Sequence, residues 1–225
     1  MADSIDVNQN TTEVDRLDDV ALAAAVEQEL KAQADWLESV ELQFLQRECD
    51  RHLRKASTYC FVGHSRAGKD FAATWLDQHA MNVKMGYSLS WYLCRLGSRL
   101  LGLEFAKLWP IRHSYYRQLY RLGNAIRLHD TTLLVRMALS ESDVIVGPRS
   151  RREMAAAQQQ KLIGQLIWVE RAGLPPDPTL ELCKEDCDHV IHNSGNADFV
   201  DVLHQFFADK IVFRNPTISV SRNQV

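Results

Sequence analysis

The most chemically informative residues of the chain lie between positions 63 and 70. They read Gly63-His64-Ser65-Arg66-Ala67-Gly68-Lys69-Asp70 and contain the spacing G-x-x-x-x-G-K, directly after an apolar, β-rich run and directly before a helix-like run. A phosphate-binding loop requires that context. Glycines there permit backbone conformations that turn successive N–H groups inward, and the following helix directs its positive end to the same point. We therefore expect these eight residues to line a phosphate site, with Lys69 reaching the outer phosphates as a point charge.

Asp70 stands where such loops usually place a serine or threonine hydroxyl on magnesium. A carboxylate at this position would repel a bare phosphate, so it fits only if a cation lies between them. Asp70 is therefore predicted to bind Mg²⁺ directly or through water. The alternative is structural: a glycine-containing loop that Asp70 closes as a helix cap.

A surplus of arginine follows in the middle of the chain. Residues 88–152 carry 11 basic residues, all but one of them arginine, and only 4 acidic ones. The planar guanidinium suits two-pronged contacts with phosphate. Arg117 and Arg121 are four residues apart, so they share a helix face and could converge on one phosphate. Arg127 lies off that face in a straight helix, and it reaches the same site only if Gly123 marks a break.

Three further candidates lie nearby. Arg149 follows a predicted strand, and ligand sites of α/β proteins lie at strand ends. Arg152 continues into the next helix, and Asp130 is a candidate polar contact to a sugar or a base. The competing interpretations are that the arginines form a solvated helix face and that Asp130 caps a helix or pairs with an arginine.

Short apolar segments alternate with helix-like stretches from residue 58 onward. This alternation implies parallel βαβ units and therefore a sheet covered on both faces. We expect a three-layer α/β domain with a parallel sheet of about five strands over residues 56–212, followed by a tail over residues 213–225. The predicted strands are 58–63, 82–87, 143–147, 165–170 and 189–192.

Residues 1–55 form an acidic leader with a predicted helical extension. Residues 1–50 carry 13 acidic and 3 basic residues, whereas residues 51–225 carry 16 acidic and 23 basic ones. Two roles for the extension stay open: it packs on the rest of the chain, or it forms a subunit contact that makes a homodimer through residues 12–55. The apolar residues that recur at helical spacing are Leu22, Val26, Leu30, Leu37, Val40 and Phe44.

Several protein classes are disfavoured by composition. The longest stretches without a charged residue are about ten residues long, which is too short to span a bilayer. The N-terminus is acidic and lacks the basic and apolar blocks of a secretory signal. The five cysteines are scattered and odd in number, so we expect reduced thiols and a cytoplasmic location.

The loop His64–Asp70 resembles the R-S/A-G-K-D loop of the deoxynucleoside monophosphate kinases of bacteriophages, which are distant relatives of adenylate and thymidylate kinases. The resemblance covers residues 58–207, some two thirds of the chain. The family's R-x-L-x-x-x-G-x-x-x-R helix resembles Arg117-Gln118-Leu119-Tyr120-Arg121-Leu122-Gly123-Asn124-Ala125-Ile126-Arg127. Its strand that ends in an arginine resembles Val144-Ile145-Val146-Gly147-Pro148-Arg149, with Glu153 shortly beyond. Its last two strands and the turn that lines the donor adenine resemble Trp168-Val169-Glu170-Arg171 and Asp188-His189-Val190-Ile191-His192-Asn193-Ser194-Gly195.

The resemblance implies a fold of the P-loop NTPase type and ATP-dependent phosphorylation of a nucleoside or deoxynucleoside monophosphate to the diphosphate. ATP and Mg²⁺ would be the cofactors and small nucleotides the partners, with no membrane or nucleic-acid partner. The location would be the cytoplasm of an infected host. Lys69 would hold the donor. The arginines implied in catalysis are Arg117, Arg149 and Arg152, and the residues implied in acceptor binding are Arg117, Arg121, Arg127 and Asp130.

Two positions depart from the family pattern. Phe71 replaces a common threonine after the loop, and Gly147-Pro148 stands where an acid often precedes the arginine. Both changes remove groups that could help hold magnesium. Two alternatives therefore stay open: a P-loop kinase of another small phosphoacceptor, and a nucleotide-binding module that has lost transfer activity.

Overall fold

The computed structural model describes residues 13–54, 56–195 and 198–214. The parts of the predicted leader and tail at residues 1–12, 55 and 215–225 lie outside the described residues. Over the described residues the chain is an α/β protein with a parallel sheet and helices on both faces. The elements are α1 (Glu13–Arg16), α2 (Asp19–Ala32), α3 (Ala34–Arg54), β1 (Tyr59–Val62), α4 (Lys69–His79), α5 (Leu89–Gly97), α6 (Phe105–Ile111), a 3-10 turn (Arg112–Tyr115), α7 (Tyr116–His129), α8 (Leu133–Leu139), β2 (Val144–Val146), α9 (Arg151–Gln159), β3 (Gln165–Glu170), a 3-10 turn (Lys184–Asp186), β4 (His189–His192) and α10 (Asp198–Phe207).

The four described strands lie in the order β2-β1-β3-β4, and every pairing is parallel. Strand β1 is central and wholly buried, as expected for a strand covered on both faces. Tyr59 and Phe61 pack on one side against α4 and α10, while Cys60 and Val62 pack on the other side against the larger set of helices. Because all strands run the same way, the loops after β1, β2 and β3 begin at the same edge of the sheet, where the carboxyl ends of the strands lie.

The predicted fifth strand at residues 82–87 does not form. Met85 makes a single parallel bridge to Val144, at the free edge of β2. The carboxylate of Asp143 accepts the Lys84 N–H at 3.1 Å, where a longer ladder would use a backbone carbonyl. Beyond the bridge, Gly86 passes so close to Ser142 that a Cβ would lie 2.8 Å from the serine Cβ. A side chain therefore ends the pairing that the apolar pattern predicted.

The leader helices pack on the rest of the chain, which is the first of the two predicted roles. Helix α2 lies along α7, and α3 lies along α8. The predicted apolar stripe is buried in the same core as those helices, except for Leu37, which is only partly buried. The second role, a subunit contact, stays a prediction.

A buried ion cluster fixes α3 to the sheet. Asp143 is 1 % exposed and accepts from Arg51 Nε at 3.0 Å and from Arg47 Nη2 at 2.7 Å. The Arg51 guanidinium also donates to the Leu139 carbonyl at 2.6 Å. Removing one partner would leave a buried charge uncompensated, so the leader is bound to the α/β body by more than apolar contact.

Candidate functional site

The predicted phosphate-binding segment Gly63–Asp70, called the phosphate loop below, has a backbone shape that only glycine permits at two positions. Gly63 and Gly68 have φ angles of 141° and 103°. A Cβ at Gly63 would lie 2.4 Å from the Val169 carbonyl oxygen, and one at Gly68 would lie 2.3 Å from Asn193 Nδ2. Strand β3 and the turn after β4 therefore lie directly against the loop and fix its shape.

Asn193 supports the loop from the turn after β4. It is buried, its Nδ2 donates to the Ala67 carbonyl at 2.7 Å, and its Oδ1 accepts from the Gly195 N–H at 2.8 Å. The resemblance suggested that this turn lines the adenine of the donor. The structure adds a supporting role for Asn193, which the sequence did not predict because the contact spans 126 residues.

Lys69 folds back over the loop that precedes it. Its ammonium donates to the carbonyls of Gly63 at 2.8 Å and His64 at 2.6 Å. Burial lowers the pKa of Lys69 to about 8, with Arg149 acting in the same direction and the carboxylates of Asp70 and Asp177 partly offsetting it. Because an anion favours the charged form of a partly buried lysine, an incoming phosphate would be stabilised by Lys69.

A cavity of about 110 Å³ opens on one side of the loop, between α5, α7 and the end of β2. Ser65 of the loop borders it, and Arg127 and Arg149 both line it. Its apolar wall is formed by leucines of α5, α7 and α8, namely Leu89, Leu93, Leu119 and Leu134. A compact recess with cationic and apolar walls can hold an anion that carries a flat apolar group.

Arg149 meets a group of acceptors that the sequence did not single out. Its Nη1 donates to Asp177 Oδ2 at 2.7 Å, to Thr179 Oγ1 at 2.8 Å and to the Tyr116 hydroxyl at 3.1 Å. Burial raises the pKa of Asp177, but hydrogen bonds from Tyr116 and Arg149 outweigh it and lower the pKa to about 2. Asp177 is therefore ionised wherever the protein is folded at ordinary pH.

Arg127 is fixed by a buried carboxylate. Its Nε donates to Glu153 Oε2 at 2.9 Å, and Glu153 is fully buried. Burial raises the pKa of Glu153 and the charge of Arg127 partly offsets this. Gly123 provides the space for the guanidinium, because a Cβ there would lie 2.9 Å from Arg127 Nη1. Glu153 lies within a motif that carried the resemblance, although no role was predicted for it. The helix break suggested at Gly123 does not form, because α7 runs from Tyr116 to His129 without interruption.

The structure does not bring Arg117, Arg121 or Arg152 to this cavity. Arg121 donates to the Val14 and Leu17 carbonyls, both at 2.6 Å, so it anchors the leader. Arg117 and Arg152 are exposed, and neither lines the cavity. The physical reason for the two α7 residues is helical phase: successive positions are about 100° apart, so they point away from the cavity face.

Asp130 pairs with an arginine, which was the alternative to a contact with a sugar or a base. Its carboxylate pairs with Arg136 at 2.8 Å and accepts the Thr132 N–H at 2.9 Å. Burial raises its pKa, but the Arg136 and Thr132 hydrogen bonds outweigh it and the net pKa is lowered. Asp130 thereby forms the turn that separates α7 from α8, and it does not line the cavity.

An open groove of about 690 Å³ lies on the other side of the loop, beside the ends of β3 and β4. His64 borders it, and its ring meets that of Trp168 edge-on at 5.4 Å. Arg171 lines the groove and donates to the Arg66 carbonyl at 3.4 Å. The loop thus separates two recesses, with His64 facing one and Ser65 facing the other.

Asp70 offers a single exposed carboxylate at the start of α4. Among the described residues, no group of three or more His, Cys, Asp or Glu side chains is arranged to hold a metal. Magnesium bound with a nucleotide needs only one or two carboxylates, since phosphates and water complete its shell. Asp70 therefore fits the predicted role, whereas the carboxylate of Asp177 is taken by Arg149.

No protein-family model matches the chain, and no curated protein is similar enough to match it. Within the described ranges, no helix is both long and apolar enough to cross a membrane.

Proposed function

We propose that the protein is a phosphotransferase that uses ATP to phosphorylate a nucleoside or deoxynucleoside monophosphate. One observation carries this proposal: the phosphate loop lies between two recesses, and its consecutive residues His64 and Ser65 face opposite ones. A protein that only binds one nucleotide needs one recess. A protein that moves a phosphoryl group between two molecules needs two recesses with the moving group between them.

The donor would lie along the groove with its phosphates in the loop. The loop N–H groups, the first turn of α4 and Lys69 would hold those phosphates. The lowered pKa of Lys69 fits this role, because an anion restores the favourable surroundings that burial removed.

The acceptor would enter the cavity on the opposite side. The charge of Arg149 lowers the pKa of Lys69, and the transferred group would lie close to both cations. Phosphoryl transfer passes through a loose transition state, and its main requirement is the neutralisation of charge on the equatorial oxygens. Lys69 and Arg149 would supply that charge, while Arg127 would hold the acceptor deeper in the cavity.

Asp70 is the residue that would hold the magnesium, directly or through water. Bound magnesium would draw charge from the donor phosphates and leave the chain's own residues to orient the two substrates. The protein would therefore work by alignment and charge, with no side chain needed as a strong base.

Transfer to an acceptor panel tests the proposal. ADP formation from ATP and Mg²⁺ is measured with each ribo- and deoxynucleoside monophosphate, for the wild type, Lys69→Ala and Lys107→Ala. Lys107 is an exposed helix lysine, so its variant controls for loss of charge alone. We expect turnover with at least one acceptor, retained in Lys107→Ala and lost in Lys69→Ala. Absence of turnover with every ribo- and deoxynucleoside monophosphate would overturn the proposal.

A nucleotide-binding module without transfer is the second candidate. It is favoured by Phe71, which is half-exposed beside Asp70 and packs against Phe199 at 5.8 Å. An aromatic ring there supplies no hydroxyl to a metal. Tight binding of ATP by calorimetry together with no transfer to any acceptor would identify this function.

A further inference from the structure

The clearest feature outside the roles described so far is the way in which Arg149 is held. Three separate oxygens lie within hydrogen-bond distance of one nitrogen of its guanidinium, Nη1, and they share its two hydrogens. They come from α7 and from the connection between β3 and β4: Tyr116, Asp177 and Thr179. Because a guanidinium has two usable edges, contacts gathered at one corner orient the plane and leave the Nη2–Nε edge facing elsewhere.

Asp177 is the charged member of this group, and its surroundings are built to keep it in place. Its side chain is 7 % exposed. It accepts from the Thr179 N–H at 3.2 Å, which forms a local turn, and it is flanked by Pro175, Pro176 and Pro178. Prolines fix their own φ angle and restrict the residue before them, so this segment loses little entropy when it holds one shape.

Asp177 also contacts the phosphate loop. Its backbone N–H donates to His64 Nδ1 at 3.2 Å, while its carboxylate holds Arg149. Its charge also acts on Lys69. One residue therefore connects the loop that would hold the donor to the arginine that would hold the moving phosphoryl group.

We propose that Asp177 is a positioning residue that sets Arg149 at a fixed distance from the loop and presents its Nη2–Nε edge to a phosphate. The proposal rests on the proposed function for its chemistry, although the clamp itself is independent of it. Arg149 would contact the substrate, and Asp177 would act only through Arg149 and His64. The competing view is that the Asp177 carboxylate fills the place of a phosphate and must leave when one binds.

The two views predict different effects of removing the Asp177 carboxylate. If Asp177 positions Arg149, its loss frees the guanidinium, so turnover falls while ATP binding is kept. If Asp177 competes with phosphate, its loss removes a repelling charge, so the acceptor binds more tightly. Asp177→Asn keeps the shape and removes the charge. Asp186→Asn is the matched control, because Asp186 pairs with Arg151 at 3.0 Å on the same connection but away from the cavity.

The first measurement needs no substrate. Arginine side chains are labelled with ¹⁵N, and the Arg149 signals are assigned by their absence in Arg149→Lys. We expect resolved Nη signals in the wild type, because hydrogen bonds slow rotation about Cζ–Nη1, and averaged signals in Asp177→Asn. Averaged signals in the wild type, or unchanged signals in Asp177→Asn, would overturn the proposal whether or not the protein is a kinase.

The second measurement is steady-state kinetics with the acceptor found active. We expect Asp177→Asn to lower kcat by up to about 100-fold, the loss typical of a misplaced group, with the KM for ATP unchanged. Tyr116→Phe and Thr179→Val each remove one acceptor, so they should lower kcat less and in the same direction, and they serve if Asp177→Asn does not fold. An unchanged kcat, or a lower acceptor KM, would contradict the positioning role. A wild type without turnover would instead refute the proposed function, and the clamp would still be decided by the spectra.

Discussion

Helix α7 has two faces that carry similar residues for different purposes. On one face Arg121 and Gln118 donate to the leader, the first to two carbonyls and the second to Asp15 at 2.8 Å. On the other face Arg127 lines the cavity and is held by the buried Glu153. The difference lies in what each guanidinium contacts. Arg121 contacts backbone carbonyls at a helix end and the exposed carboxylate of Asp19, whereas Arg127 contacts a buried carboxylate beside the cavity. Arginine content alone therefore does not locate the site.

The largest expected effect on this comparison is in stability. Arg127→Ala leaves the carboxyl of Glu153 buried without its partner, and breaking a buried pair typically lowers the free energy of unfolding by about 3–5 kcal/mol. Arg121→Ala removes hydrogen bonds to carbonyls at a more exposed position, with an expected loss of about 1–2 kcal/mol. Urea unfolding of both variants measures the difference.

The pH dependence of that loss has a defined sign. Without the charge of Arg127, nothing offsets the effect of burial, so the pKa of Glu153 rises further. The folded state then holds a proton that the unfolded state releases above about 4.5. The stability of Arg127→Ala should therefore fall as the pH rises through 5 to 7, relative to the wild type. The double variant Arg127→Ala/Glu153→Gln should lose this pH dependence. Equal losses for Arg121→Ala and Arg127→Ala at all pH values would contradict the assignment.

The next effect is on the acceptor. Arg127→Ala/Glu153→Gln removes a charged hydrogen-bond donor from the cavity without leaving a buried charge, so we expect the acceptor KM to rise about 10- to 100-fold. Arg121→Ala should change neither kcat nor KM by more than a few-fold. Initial-rate kinetics at saturating ATP makes the comparison, and a larger kinetic effect for Arg121→Ala would exchange the roles of the two faces.

The loop side should respond to pH in a way that neither arginine does. With a pKa of about 8, Lys69 is largely charged at pH 7 and loses its proton above pH 8 in the free protein. Phosphate favours the charged form, so nucleotide affinity should fall by up to tenfold per pH unit above 8, with uptake of up to one proton on binding. Calorimetry in buffers of different ionisation enthalpy detects this proton. Lys69→Met should bind weakly and take up none.

The smallest effect should come from Gly123→Ala. The added methyl group meets the flexible end of Arg127 at 2.9 Å, so the guanidinium shifts while the helix gains slightly from alanine. We expect an acceptor KM a few-fold higher, with thermal stability unchanged or slightly raised. Leu128→Ala is the control, because Leu128 is an exposed residue of the same helix that does not line the cavity. A loss of stability would mean that the methyl group strains the helix instead.

The phosphate loop could be predicted because all of its residues are consecutive. Gly63, Gly68 and Lys69 define it by spacing, and the flanking strand and helix are local patterns. Four predicted strands agree with β1, β2, β3 and β4 to within a residue at each end. The missing fifth strand depended on Asp143, whose contacts come from residues far away in the chain.

The cavity could not be predicted in the same way because distant segments build it. Arg121 and Arg127 differ only in helical phase and in what covers each face, and the sequence did not tell which face of α7 the leader would take. Asp177 lies in a proline-rich connection that has no periodic pattern, and its partner Arg149 is 28 residues away. The one available signal was the Pro-Pro-Asp-Pro run, which indicates a stiff segment but not its contact.

The leader also determines which wall of the cavity can move outward when a ligand binds. Helix α7 lines the cavity on one side and packs against α2 and the Leu17 carbonyl on the other, so this wall is held in place. Another part of the cavity wall is the turn Arg112–Tyr115, which contributes Arg112 and His113 and has no buried residue. A void of about 110 Å³ is smaller than typical ligand pockets of about 300–1,000 Å³, so a whole nucleotide must push one wall outward. The turn Arg112–Tyr115 would therefore move outward when an acceptor enters, while the leader keeps α7 in place.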